Sequence, residues 1–88
     1  MSAASKRHLG RVAALPCCLC GAHGVEVHHV RTGEAAGMAQ RPPDMLTIPL
    51  CPSCHRGPMG VHGNRAMLNM TKKTELALAN DTLESLYG

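Results

Sequence analysis

The chain has 88 residues and a formal net charge of +3, with no Trp, no Phe and a single Tyr. A domain this small buries a low fraction of its surface, and without the aromatic side chains that usually dominate a core it calls for a staple such as a disulfide or a metal. No apolar run approaches the roughly 18–20 residues needed to span a bilayer, so a membrane-spanning protein is not expected.

From the N-terminus, Ser5 to Leu15 predicts a short helix with Leu9, Val12 and Ala13 on one face, ended by Pro16, which disfavours helical geometry just before it. Eighty-eight residues are read as a single domain, and nothing around Lys6 and Arg7 has the form of a secretory signal, which points to a cytoplasmic protein. In a reducing compartment the pairs Cys17/Cys20 and Cys51/Cys54 are better explained as metal ligands than as disulfides. Cys18 is then left over, because it lacks the two-residue spacing that turns both sulfurs toward one ion.

Val25 to Val30 alternates and is β-branched enough for a strand, with His28 and His29 at its end. The stretch from Arg31 to Asp44, with Gly33, Gly37, Pro42 and Pro43, predicts a loop, and Met45 to Leu50 a second strand. Pro49 restricts that strand to an edge or an end. The two strands would pair as a hairpin and set the histidine pair opposite the second Cys-x-x-Cys. Gly57, Gly60 and Gly63 argue against regular helix after His55, a short helix is expected from Asn64 to Met70, and the last segment is the clearest helix. Thr74 caps it, Glu75 sits at the positive end of its dipole, and Leu76, Ala79, Leu83, Leu86 and Tyr87 form its apolar stripe, with a break expected near Asn80 and Asp81.

Two Cys-x-x-Cys turns can close one tetrahedral site of four thiolates, a structural zinc with no open position. The histidines of the central region are then not needed by that ion. Adjacent residues of a strand point to opposite faces, so one member of the His28–His29 pair can hold a metal while the other is free to act as a base. The basic residues Lys6, Arg7, Arg11, Arg31, Arg41, Arg56 and Arg65 precede or flank this region, whereas Glu75, Asp81 and Glu84 lie toward the C-terminus, an asymmetry that suits a polyanionic partner.

The order Cys-x-x-Cys, VHHV, loop, PLCPSCH resembles the HNH endonucleases, whose ββα-metal fold is a β-hairpin and a helix around one divalent ion. GRVAALPC, GMAQRPPD, IPLCPSCHRGP and VHG extend the resemblance to the small phage HNH proteins related to the RecA-dependent recombination-enhancement nuclease. The resemblance implies an α+β fold with a ββα-metal (His-Me finger) core, a four-cysteine zinc knuckle and flanking N- and C-terminal helices. It implies that His28 is a metal ligand, His29 the general base, and His55 the distal ligand. The family's further histidine corresponds to His62, which a loop would have to carry to the ion. The family's central asparagine has no counterpart here. Asp44 occupies roughly its place, accepting hydrogen bonds but donating none.

A neutral imidazole titrates close enough to working pH to take a proton from water. Arg31, beside the pair, joins His29 and Asp44 as a candidate at the reacting phosphate, and Arg56 and Arg65 are candidates for backbone contacts. The expected cofactors are Zn²⁺ at the cysteines and Mg²⁺, Mn²⁺ or another divalent ion at the histidines. The expected partners are DNA and a recombinase filament, for a monomer or homodimer of phage origin. Two rival readings stand beside the nuclease: a zinc-binding DNA or protein adaptor with structural histidines, and a dithiol redox protein.

Overall fold

A computed structural model describes residues 2–30 and 44–88. In chain order it has α1 (Ala3–Ala13), β1 (Glu26–His29), β2 (Thr47–Leu50), α2 (Pro52–Arg56), α3 (Ala66–Thr71) and α4 (Glu75–Tyr87). The expected loop from Arg31 to Asp44, and with it Arg31, lies outside the described residues except for Asp44.

The strands pair antiparallel in the register Glu26 to Leu50, Val27 to Pro49, His28 to Ile48 and His29 to Thr47. They are shorter at their ends than the sequence pattern suggests. Pro49 is tolerated because a two-stranded sheet leaves each strand with a free edge. Its carbonyl accepts a hydrogen bond from the Cys18 amide at 2.9 Å, which ties the first cysteine turn to β2. All four residues of β2 are buried, since α1, α2 and α4 all pack on this strand.

α1 starts earlier than Ser5 because the Ser2 hydroxyl accepts a hydrogen bond from the Ser5 amide at 3.0 Å and caps the first turn. Its buried face is His8 with Val12, an i, i+4 pair, while Ala13 is exposed. The buried imidazole sits between Tyr87 and Thr47, 2.7 Å from the Tyr87 hydroxyl.

α4 is capped as expected, with the Thr74 hydroxyl accepting from the Ala77 amide at 3.0 Å. It runs unbroken through Asn80 and Asp81, and Asp81 pairs with Lys73 at 2.8 Å instead of opening a new helix. Its buried positions are Leu78, Ala79 and Thr82, and the expected stripe is corrected accordingly: Leu76 and Tyr87 are exposed, Leu83 and Leu86 half-buried. The helix is anchored through Glu75 at its start and the Tyr87 hydroxyl at its end, which rotates Leu76 away from β2.

The core cluster joins Val30, Ile48, Leu50, Val61, Leu68, Leu78 and Ala79 to Cys17, Cys51 and Cys54. Cysteines therefore occupy positions where a larger domain would place Phe or Leu.

Burial first, then the Arg11 charge, lowers the pKa of His8 from its ordinary 6.5, against a smaller opposing effect of Asp44. Below about pH 6.5 the unfolded chain therefore binds more protons than the folded one, and the stability held above that pH is lost progressively on acidification. A His8→Phe variant, which carries no such proton, is expected to show a shallower fall in melting temperature between about pH 7 and pH 5 than the parent. Thermal melts of the zinc-loaded proteins measure this; parallel pH profiles would show that His8 does not contribute.

Candidate metal centres

The first cysteine turn closes through Gly21, whose amide donates to the Cys17 carbonyl at 2.8 Å with φ of +79°. The left-handed backbone there favours glycine. The second turn is helical, with Cys51 at the N-cap of α2 and Cys54 inside it, the His55 amide donating to the Cys51 carbonyl at 2.9 Å. The sulfurs of Cys17, Cys20, Cys51 and Cys54 all lie within 4.8 Å of one another, those of Cys20 and Cys51 at 3.5 Å. A tetrahedral zinc with Zn–S bonds near 2.3 Å sets sulfurs about 3.8 Å apart, so the donor set fits a structural zinc.

Burial opposes ionisation of Cys17, yet amides of Cys51, Leu19 and Cys20 outweigh it and bring the thiol down to about 7. Burial and the neighbouring sulfurs push Cys54 up, so the ion itself must complete the deprotonation. Cys18 stands outside the cluster, half-buried, with its thiol pushed up to about 12 by burial and then by Cys17. It is not poised as a nucleophile.

The second cluster is His28, His55 and His62. His28 comes from β1 and His55 from α2, immediately after Cys54, so the cysteine knuckle and the imidazole cluster share a helix turn. His62 reaches them because the chain doubles back: the Val61 amide donates to the Cys54 carbonyl at 2.9 Å and the His62 amide to the His55 carbonyl at 3.1 Å. Gly60 permits this approach, since a Cβ there would lie 2.6 Å from the Cys54 carbonyl oxygen.

The proton positions in this cluster follow from its acceptors. Nε2 of His28 is 2.6 Å from Oε1 of Glu75, and Nδ1 of His55 is 2.8 Å from Oε1 of Glu26. Ionised carboxylates only accept, so these nitrogens carry the protons and leave Nδ1 of His28 and Nε2 of His55 as bare lone pairs. Those two atoms face each other at 3.2 Å, and Nε2 of His62 faces the same His55 nitrogen at 3.1 Å. Two lone pairs do not bond to one another; they converge when a cation lies between them. With metal–nitrogen bonds of 2.0–2.1 Å, ligand nitrogens stand about 3.0–3.4 Å apart, so the spacing fits an ion. Carboxylates behind ligand imidazoles are the usual support of such sites.

Burial lowers the pKa of His28, with Glu75 opposing and the other two imidazoles reinforcing, which keeps the ring in its neutral, ligating form. Glu75 stays ionised despite burial because Arg65 and His28 donate to it. Glu26 is held below the ordinary carboxylate range by His55 and then Arg56.

The arginines expected at DNA phosphates meet these same carboxylates. Arg56 grips Glu26 through Nε at 3.0 Å and Nη2 at 2.6 Å, and Arg65 bonds Glu75 through Nη2 at 2.6 Å. Arg65 is held with φ of +63°, a backbone region costly for a side chain of this size.

His29 lies half-exposed at the end of β1, and its Nε2 is 2.8 Å from Oδ1 of Asp44. The aspartate thus meets the histidine from just before β2. A cleft of about 460 Å³ gathers His28, His29, His55, His62, Arg65 and Glu75 on its walls.

Glu26 and Glu75 were not singled out as site residues by sequence reasoning. Strand alternation carried a signal for Glu26, two positions before His28 and on the same face. Glu75 carried only a helix-dipole signal, and its contact with His28 spans 47 positions.

These elements define a small α+β protein with a four-cysteine cluster and a histidine cluster, both arranged as metal sites. The chain belongs to the family described as "Protein of unknown function (DUF968)", which matches residues 1–87. No curated protein and no solved structure matches it. No helix among the described residues is long and apolar enough to cross a membrane.

Two measurements separate the clusters. Cys51→Ser is expected to lose zinc and unfold, because structural zinc contributes on the order of 10 kcal/mol of apparent binding free energy in small domains; zinc analysis with circular dichroism checks it, and a folded, zinc-free variant would show the core to be self-sufficient. Glu75→Gln is expected to keep that zinc while weakening Co²⁺ or Ni²⁺ binding at the histidines by roughly 10–100-fold. Titration calorimetry with unaltered affinity would mean that Glu75 does not support His28.

Proposed function

We propose that the chain is a metal-dependent endonuclease that hydrolyses DNA phosphodiester bonds with His29 as general base. The observation that carries this reading is the opening of two arrangements onto one cleft: imidazole nitrogens converging from His28, His55 and His62, and a separate imidazole held by a carboxylate. His28, His29 and His55 sit on a hairpin and the helix that follows it, the arrangement that the resemblance to HNH endonucleases implies. A divalent ion held by the three histidines would supply Lewis-acid stabilisation of charge on the phosphate and on the departing 3′ oxygen.

The remaining work falls to the chain's own groups. With Nε2–H of His29 donated to Asp44, Nδ1 is the basic nitrogen, and it takes the proton of the attacking water. Asp44 holds the ring in that tautomer and stabilises the imidazolium that forms. An aspartate serves here although it cannot donate, because the contact to His29 needs only an acceptor. Arg65, on the wall of the cleft, adds positive charge where a phosphate would enter, and Arg56 is bound to the Glu26 carboxylate that backs His55. A recombinase filament as partner rests on the family resemblance alone.

A zinc-binding adaptor is the second reading, favoured by the engagement of Arg56 and Arg65 with Glu26 and Glu75. The two readings differ in the role of His29. The His29→Ala protein is expected to retain its zinc and helix content while plasmid nicking with Mg²⁺, Mn²⁺ or Ni²⁺ falls by roughly two to four orders of magnitude. Parental cleavage by this variant, with contaminating nuclease excluded, would remove the base assignment and leave the adaptor.

A further inference from the structure

His8 is 1% exposed and belongs to neither metal cluster, yet its ring is built into a chain of polar contacts that ends at the His29–Asp44 pair. Nη1 of Arg11 donates to the Tyr87 hydroxyl oxygen at 3.2 Å, and that hydroxyl lies 2.7 Å from Nδ1 of His8. On the other side, Nε2 of His8 is 3.5 Å from Oγ1 of Thr47, whose hydroxyl donates to the Asp44 carbonyl at 3.1 Å.

The protons can be assigned in only one consistent way. The single hydroxyl proton of Thr47 goes to the Asp44 carbonyl, so Thr47 can only accept from His8, and Nε2 of His8 carries the proton. Nδ1 then accepts, which makes the Tyr87 hydroxyl its donor and leaves the tyrosine oxygen to accept from Arg11. All four contacts run in one direction, from a guanidinium on α1 to a backbone carbonyl just before β2. The His8–Thr47 contact is the longest and weakest link.

We infer that Thr47, seated by His8 and Tyr87, is a positioning residue for the His29–Asp44 pair. Thr47 stands at both members: it is the cross-strand partner of His29, and its hydroxyl fixes the peptide of Asp44. Its side chain is fully buried, so its hydroxyl has no water to exchange with and its direction is set by the protein. Asp44 in turn reaches His29 through Oδ1. The C-terminal turn of α4 thereby bears on the orientation of an imidazole that its own residues do not bond.

The competing explanation is that a threonine hydroxyl bonded to a carbonyl three residues back only stabilises a turn. Thr47→Val keeps the shape and removes the hydroxyl. In the full-length, zinc-loaded protein at neutral pH, nitrogen-15 spectra of the His29 ring report its tautomer and the exchange rate of its Nε2 proton without requiring any activity. For Thr47→Val the exchange is expected to quicken, and nicking kcat to fall with KM unchanged, each by about three- to ten-fold, the range that one hydrogen bond supports. Thr47→Ser is expected to restore both.

An unchanged His29 spectrum in a Thr47→Val protein that merely melts at lower temperature overturns the inference. If Thr47→Val does not fold, Tyr87→Phe breaks the chain two steps further out at the surface. It is expected to move the His29 proton exchange in the same direction, by about two-fold; no change there is equally decisive against the inference. The kinetic part rests on the nuclease reading. A parent protein that leaves DNA intact sinks that reading, while the spectra still decide the role of Thr47.

Discussion

The convergence of four cysteine sulfurs, arranged as a zinc site, is the constraint on which the rest of this structure depends. The first pair precedes β1 and the second bridges β2 and α2, so a single ion closes the chain across the hairpin. Three of those cysteines are also core residues, packed with Ile48, Leu50 and Leu78. The protein has neither the length nor the aromatic side chains to hold such a sheet by apolar burial alone. With a zinc at this cluster, metal binding and folding would be one process, and His55 would take its position from it, since His55 follows Cys54 in the same helical turn.

The histidine cluster is organised by a different force. His28 and His55 are oriented from behind by carboxylates, Glu75 and Glu26, which are kept ionised by the imidazoles and the arginines that donate to them. Two parallel series, Arg56 to Glu26 to His55 and Arg65 to Glu75 to His28, meet at the facing nitrogens. Each buried or half-buried charge has an opposite neighbour, which is the condition under which charges are tolerated away from water. The excess of positive charge read from composition is thus partly spent inside the site.

Several features were legible in the residue order. The cysteine pairs, the hairpin, the Thr74 cap of α4 and the doubled histidine all rest on local rules of spacing, alternation and capping, which act over a few residues. The apolar faces of α1 and α4 were less legible. Ala13 and Leu76 have the composition of core residues yet are exposed, while His8 and Thr82 are buried, because helix rotation is set by what the neighbouring elements offer. Here the offers are polar: a tyrosine hydroxyl for His8 and an imidazole for Glu75.

The sequence by itself determined the α+β class, the two pairs of sulfur ligands, and the segment in which the histidines would gather, because each depends on residues close together in the chain. Only the tertiary structure decided which nitrogens of His28, His55 and His29 are bare, that Glu26 and Glu75 stand behind the rings, and that Asp44 meets His29. Those contacts join residues from 15 to 47 positions apart. They exist because the fold around the four-cysteine knuckle brings β1, α2 and the start of α4 to one cleft, and no local pattern encodes which carboxylate will be there when the chain closes.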